Sequence, residues 1–322
     1  MNILVTGGCG FIGSNFIRYL LGKQHSATIF NLDKLTYAGN PANLRDIESD
    51  SRYRFIHGDI CDPVLVKDLL RREKISTIIH FAAESHVDRS ITDASDFIKT
   101  NVLGTFTLLD EALSEHIDRF IHISTDEVYG STSRGSFKET DPLNPSSPYS
   151  SSKASSDLIA RSYFITHGLP VIITRCTNNY GPYQYPEKLI PLFITNLLEG
   201  KKIPVYGTGK NVRDWIHVLD HCRAIDRVLD QGTPGDIYNI GSDNERSNIY
   251  ITKMILNALG KDESCIEYVK DRPGHDFRYS LDSSKLRSLG WKPEYSFTEG
   301  LQDTVEWYIA NEWWWHPLKH PR

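Results

Sequence analysis

The chain has 322 residues, 39% hydrophobic and 24% charged, the balance of an ordinary globular protein with a sizeable core. A formal net charge of −5 excludes the basic surface of a general nucleic-acid binder, although not a local basic pocket for a phosphate.

Met1-Asn2-Ile3-Leu4-Val5 runs straight into a strand, without the basic and apolar regions of a leader, and no later run could span a bilayer. Thr6-Gly7-Gly8-Cys9-Gly10-Phe11-Ile12-Gly13 follows at once, and Phe16, Ile17, Leu20 and Leu21 then recur at helical spacing. Thr28 to Asp33 reads as a second strand ending in an acid. Strand, glycine-rich turn, helix and acid-tipped strand make a dinucleotide-binding unit. The spacing Gly7, Gly10, Gly13 is not GxGxxG, and a glycine trio alone is a weak signal. The complete unit carries the reading: glycines let the backbone turn tightly and admit a pyrophosphate to the helix N-terminus. Asp33 would accept hydrogen bonds from the adenosine ribose and repel a 2′-phosphate, so the expected cofactor is NAD.

The alternation continues with strands over Tyr53–Ile60 and Thr77–Phe81, a helix over Val64–Arg72 and a small polar turn at Ala82-Ala83-Glu84-Ser85-His86. A long helix is predicted from about Asp93 to Leu113, then strands at 120–123 and 171–175. This pattern predicts a Rossmann-type α/β fold, a doubly wound parallel sheet whose ligands sit beyond the carboxyl ends of the strands. The turns at 82–86 and 124–130 should therefore line one crevice. After residue 176 the character changes. Asn178 to Lys188 is rich in Pro, Tyr and Asn, as a binding loop would be, and helices follow at about 189–199, 217–230 and 248–259. The expected division is an NAD-binding domain over 1–177, with a returning segment around 212–242, and a smaller C-terminal substrate-binding α/β lobe over 178–322.

The chemistry concentrates between residues 121 and 153. Ile121-His122-Ile123 reads as the end of a buried strand, followed by Ser124-Thr125-Asp126-Glu127-Val128-Tyr129-Gly130. Tyr149 and Lys153 are four residues apart, so a helix there puts phenol and ammonium on one face, a turn apart. A nearby lysine favours the phenolate and makes the tyrosine a better base. Asp126 and Glu127 would supply a second acid/base pair.

Other features read more plainly. Cys9, Cys61, Cys176, Cys222 and Cys265 lack CxxC spacing and read as reduced thiols of a cytoplasmic protein, with no metal site. Cys9 is a packing residue, and His86 could equally satisfy backbone groups or touch a ligand. Trp313-Trp314-Trp315 should be buried against the second lobe, Arg71-Arg72-Glu73-Lys74 should be a solvated helix end, and Gly207-Thr208-Gly209 should be a hairpin turn.

With these residues in view, the chain resembles the extended short-chain dehydrogenase/reductases, and within them the dTDP-glucose 4,6-dehydratases, from Asn2 to about Trp315. The motifs that carry the likeness begin with the glycine turn, Asp33-Lys34-Leu35-Thr36-Tyr37-Ala38-Gly39-Asn40 and Ala82-Ala83-Glu84-Ser85-His86-Val87-Asp88. They continue with Thr125-Asp126-Glu127-Val128-Tyr129-Gly130, Tyr149-x-x-x-Lys153, Asn178-Asn179-Tyr180-Gly181-Pro182, Pro186-Glu187-Lys188-Leu189 and Asp271-Arg272-Pro273-Gly274-His275-Asp276. The Thr-Asp-Glu triplet is the specific part, because related epimerases share only the Tyr and Lys. Cys9 and Thr177 depart from the family's usual Ala and Ser, both small changes.

The resemblance implies oxidation of a nucleotide-linked glucose at carbon 4, loss of water across carbons 5 and 6, and hydride return to carbon 6. Catalysis would fall to Thr125, Asp126, Glu127, Tyr149 and Lys153, with Lys153 lowering the pKa of Tyr149. NAD would contact Gly7, Gly10, Phe11, Ile12, Gly13, Asp33, Lys34, Thr36, Asp59, Ile60, Ala82, Ala83, Ser85, Thr100, Tyr149, Lys153 and Asn179. The sugar nucleotide would contact His86, Thr125, Asn178, Lys188, Leu189, Pro204, Tyr206, Arg213, Asn248, Arg272 and His275. A guanidinium such as Arg213 suits a diphosphate, since it can hold two oxygens at once. The family further implies a homodimer through helices at about 93–113 and 149–165. A dehydratase of a UDP sugar, a nucleotide-sugar 4-epimerase and a dinucleotide-sensing regulator are the competing readings. The acid pair speaks against the second, and the intact Tyr149/Lys153 pair against the third.

Overall fold

The computed structural model describes residues 1–23, 27–271 and 276–320. Its strands are β1 (Asn2–Thr6), β2 (Thr28–Asp33), β3 (Tyr53–His57), β4 (Thr77–His80), β5 (Arg119–Thr125) and β6 (Val171–Cys176). They continue as β7 (Asn178–Tyr180), β8 (Ile203–Tyr206), β9 (Val212–His217), β10 (Ile237–Ile240), β11 (Glu245–Ser247) and β12 (Ile266–Val269). Among the described residues, seven strands form one sheet in the order β10-β6-β5-β4-β1-β2-β3, every pair parallel. The order reverses direction between β1 and β4, which opens a crevice at their carboxyl ends.

Side chains alternate along each strand, and both faces are apolar, as a sheet covered on both sides requires. Ile3, Val5, Ile29, Ile79 and Ile121 face one core, together with Phe16 and Ile17 of the helix Phe11–Gly22. Leu4, Phe30, Leu32, Ile78 and Phe120 face the other, with Val66 and Leu69 of the helix Pro63–Arg72 and Leu108 and Leu109 of the helix Thr105–Ser114. A third core, around Phe193, Ile194, Trp215, Ile251, Tyr308, Trp314 and Trp315, belongs to the C-terminal part of the chain. After β9 the chain returns to the large sheet: the helix Val218–Gln231 packs on the helix Phe11–Gly22, and β10 pairs with β6.

Three expectations need correcting. Gly207-Thr208-Gly209 makes a turn but no hairpin, because β8 pairs with β12 while β9 pairs with β7 and β11. Trp314 and Trp315 are buried but Trp313 is half exposed, since three consecutive helical residues cannot all face one way. The long helix over 93–113 is interrupted. It comprises Ser95–Phe97, a wider π-turn over Ile98–Gly104 and the helix Thr105–Ser114. Asn101 in the π-turn anchors the turn after β4, accepting from the Glu84 N–H at 2.9 Å and donating to the Glu84 carbonyl at 3.0 Å. Such turns commonly mark functional segments.

Candidate active site

The glycine turn packs so tightly on neighbouring backbone that side chains would not fit. Gly7 has φ +71°, and a Cβ there would lie 2.6 Å from the Ala82 backbone; at Gly13 it would lie 2.5 Å from the Gly7 carbonyl oxygen. The helix Phe11–Gly22 starts from Gly10 without a side-chain cap, so its first N–H groups remain available to an anion. Asp33 is buried at the end of β2, its Oδ2 accepting from the Cys9 N–H and its Oδ1 from the Leu35 N–H, both at 2.8 Å. Each oxygen keeps a lone pair for ribose hydroxyls. Lys34 and Asp59 pair at 2.8 Å beside it.

From this turn a cavity of about 330 Å³ runs along the carboxyl ends of the strands. Every residue expected to touch NAD lines it, from Gly7 to Asn179. Thr125, Asp126, Glu127, Asn178 and Lys188 line the same cavity. The residues therefore fit a dinucleotide: an open helix N-terminus, glycines where any Cβ would collide, and an acid for the ribose.

At the inner end of the cavity, Thr125 closes β5 and caps a short turn over Asp126–Tyr129, its hydroxyl oxygen accepting from the Glu127 N–H at 3.3 Å. Gly130 ends that turn at φ +80°, where a Cβ would meet the Asn144 carbonyl oxygen at 2.4 Å. Asp126 is buried, with Oδ1 accepting from the Thr125 hydroxyl at 3.2 Å and Oδ2 without a partner. Burial and the neighbouring Glu127 push its carboxyl well above the usual range, which favours the protonated form. An orphaned, protonated oxygen in a cavity is a hydrogen-bond donor awaiting an acceptor.

The helix Pro148–His167 faces this turn. Its start is fixed by Pro148 and a reciprocal Ser147/Ser150 capping box. Tyr149 and Lys153 are both buried, one turn apart as the spacing predicts. Lys153 Nζ donates to the Ile123 carbonyl at 2.8 Å, and burial lowers its pKa to about 8. The expected effect on Tyr149 is reversed: burial, Glu127 and Cys176 hold its phenol well above the ordinary value, outweighing the hydrogen bond to Thr125. In the protein alone, Tyr149 is a protonated donor.

The remaining expected contacts lie outside the cavity wall. His86 Nδ1 accepts from the Arg89 N–H at 3.3 Å, and its Nε2 is 3.4 Å from Glu187. Burial depresses its pKa. Leu189 begins the helix Leu189–Leu198, and Pro204 and Tyr206 lie on β8. Buried Arg213, on β9, donates to the Asp276 carbonyl at 2.8 Å and stacks 4.3 Å over Tyr279, while its charge reaches Asp126. Asn248, at the start of the helix Asn248–Ala258, has a buried Oδ1 without a partner. Strand β9, this helix and segment 276–279 thus form a second polar cluster adjoining the acids. Arg272 and His275 lie outside the described residues.

Several lining residues received no role from the sequence. Tyr37 donates to Glu187 at 3.0 Å, both lining the cavity, and Arg89 outside it stacks 3.7 Å over the Tyr37 ring. Tyr37 and Glu187 both stand in quoted motifs, but no local pattern pairs residues so distant. Tyr279, outside the cavity lining, also received no role, although Glu127 and Arg213 both act on its phenol.

The family model of GDP-mannose 4,6 dehydratase matches residues 4–304, nearly the whole chain. The chain belongs to the GDP-mannose 4,6 dehydratase family. Within the range of that family, it is similar to the dTDP-glucose 4,6-dehydratase of Streptomyces niveus, 52% identical over 326 residues, covering 100% of this chain and 96% of the relative. Its fold is similar to that of the dTDP-glucose 4,6-dehydratase of Streptomyces venezuelae, a crystal structure with NAD bound. That likeness has a TM-score of 0.97 at 55% identity and covers 99% of this chain and 100% of the other. The UDP-glucose 4-epimerase of Thermus thermophilus, also with NAD, is more distant: 29% identity at a TM-score of 0.90, covering 97% and 100%. Dehydratases and epimerases thus share the frame of the GDP-mannose 4,6 dehydratase family, and the cavity chemistry must separate them.

Proposed function

We propose that this protein is an NAD-dependent hydro-lyase that converts dTDP-glucose to the 4-keto-6-deoxy sugar nucleotide. The observation that carries this reading is the acid pair in the cavity, with Asp126, its carboxyl raised by burial, beside Glu127 and both beside Tyr149. An epimerase exchanges a hydride at carbon 4 and needs no such pair, whereas eliminating water needs a base and an acid at neighbouring carbons.

The first lobe holds the cofactor and the second holds the nucleotide sugar. Bound NAD supplies the hydride acceptor for carbon 4, the donor for carbon 6 and, when oxidised, a positive charge that favours the Tyr149 phenolate. Tyr149 takes the proton of the carbon-4 hydroxyl, and Thr125 hydrogen-bonds the same oxygen. Lys153 orients the cofactor's ribose. The ketone at carbon 4 acidifies the proton on carbon 5, which Glu127 removes and later returns. Asp126 gives its proton to the hydroxyl leaving carbon 6, so that water departs. Arg213 and Asn248 recognise the nucleotide diphosphate, and Lys188 the sugar end.

The proposed assembly is a homodimer. Ile98, Leu103 and Phe106, with Leu158 and Ile165 of the helix Pro148–His167, are large apolar side chains left exposed on neighbouring helices. Among the described residues no helix is long and apolar enough to cross a membrane. The five cysteines are unpaired, and a reducing cytoplasm is the proposed location.

The test is to incubate the purified protein with dTDP-glucose, UDP-glucose and UDP-N-acetylglucosamine, without added NAD, and to follow products by mass. A product one water lighter from dTDP-glucose is expected. Water loss from a UDP sugar alone would move the assignment to that substrate, and no loss from any of them would refute the proposed dehydration of a glucose-configured nucleotide.

A further inference from the structure

We propose that Glu199, His316 and His320 form a surface site for one divalent transition-metal cation, with zinc the ion expected, which ties the last helix of the chain to the end of the helix Leu189–Leu198. None of the three residues lines the cavity, so the inference is independent of the function proposed above.

The histidines are placed by a helix that is held from its inner side. In the helix Glu312–Lys319, Trp314 Nε1 donates to Asn43 Oδ1 at 2.7 Å and Trp315 Nε1 to the Tyr308 carbonyl at 2.8 Å. Both indoles belong to the third core. His316 lies in this helix and His320 directly after it, and the His320 N–H donates to the His316 carbonyl at 3.1 Å. That bond closes one helical turn, which sets both imidazoles on one face, their ring centroids 4.7 Å apart.

Glu199 follows the helix Leu189–Leu198 and meets them from the other element. Its Oε2 is held by Lys319 at 2.8 Å and Lys201 at 2.9 Å, and Lys319 is fixed in turn by Asn196 Oδ1 at 2.7 Å. Its Oε1 lies on the side of the rings, 2.6 Å from His320 Nε2. Against the effect of burial, Lys319, His320 and Lys201 lower the carboxyl pKa to about 2, so it is ionised. One oxygen of Glu199 and one nitrogen of each ring lie within 4.8 Å of one another.

Ion pairing alone does not account for the rings, because the two lysines already satisfy Oε2. Two imidazoles and a carboxylate are the donor set of zinc sites with three protein ligands, which leave the fourth position to water. Zinc–ligand bonds of about 2.0–2.1 Å put tetrahedral ligands roughly 3.3 Å apart. The present separations reach that spacing by rotation of the two exposed histidine side chains, as zinc replaces the proton between His320 and Glu199. The neighbouring ammonium groups oppose a cation, so affinity falls short of a closed structural site. Cysteine spacing gives no hint of this site. Its signal in the sequence is His316-x-x-x-His320, which no local pattern joins to Glu199.

The test is a titration of the untagged protein with zinc chloride in competition with a chromophoric chelator. The parent should take up one equivalent per chain, and excess zinc should raise its Tm by about 2 °C or more. His316→Gln, His320→Gln and Glu199→Gln should each weaken binding tenfold or more. The double variant His316→Gln/His320→Gln should lose both the equivalent and the rise in Tm. Both histidines are exposed, so that variant should keep the parent's Tm in the absence of zinc, which separates lost binding from lost folding. A parent that takes up no zinc overturns the inference, as does a Glu199→Gln variant that binds undiminished. So does a double variant that retains the equivalent, which would place the metal elsewhere, as on the partly exposed thiols of Cys61 or Cys265.

Discussion

In the proposed mechanism Asp126 takes a task opposite to that of its neighbour. Its carboxyl sits at the end of a buried strand, with one oxygen on Thr125 and the other unpartnered, so ionising it would strand a charge away from water. Asparagine has the same shape and is neutral, as a protonated proton donor here would be. Asp126→Asn should therefore leave Tm within about 3 °C of the parent, while cutting turnover by 10²-fold or more through loss of the proton donor. A thermal melt and a product assay check both halves; a large fall in Tm would show that the native carboxyl is ionised and structurally paired. The triplet Thr125-Asp126-Glu127 and the Tyr149/Lys153 spacing were legible because they depend on local geometry, a strand end and a helical turn. The direction in which Tyr149 shifts was not, since it depends on burial and on Glu127, brought near by folding.

The helix Pro148–His167 works on two faces. One buries Tyr149, Lys153, Ser156 and Asp157; the other leaves Leu158 and Ile165 exposed at 59% and 66%. Exposed apolar side chains on adjacent helices suit a partner helix pair. Leu158→Glu should convert a dimer to a monomer in light scattering after gel filtration; a parent protein that is itself monomeric would refute the proposed dimer. The helix was readable from its capping residues and spacing. The break at Ile98–Gly104 was not, because it answers to distant partners: Asn101 bonds Glu84 and the Ser152 hydroxyl, and a Cβ at Gly104 would collide with Ile60. That break sets Thr100 into the cavity wall.

Among the described residues, four histidines are buried with lowered pKa values. Burial lowers the pKa of His122 and His217 to about 4 and of His221 to about 3, and holds His80 well below its ordinary value. An unfolded chain binds protons at all four as pH falls through 6.5, and the folded chain does not, so stability is lost on acidification from 6.5 toward 4. Asp126 acts in the opposite sense, already carrying its proton when folded. The four rings outnumber that one carboxyl, so stability measured by urea unfolding should fall as pH is lowered from 6.5 to 5. A flat profile between pH 6.5 and 5 would mean that these rings are charged or hydrated in the fold. The alternation of strands and helices made the large sheet legible in the sequence, because each parallel crossover is a local repeat. The small pairings were not. Strand β8 meets β12 rather than the neighbouring β9, since pairing between residues some sixty positions apart leaves no local signature.

The two proposed stations, Tyr149 at carbon 4 and Asp126/Glu127 at carbons 5 and 6, are separable by experiment. Glu127→Gln, given dTDP-glucose in deuterated water, should lose exchange at carbon 5 and release of water while still oxidising carbon 4, seen as reduction of the bound cofactor in a single turnover. Equal loss of carbon-4 oxidation, or undiminished exchange at carbon 5, would contradict the role assigned to Glu127.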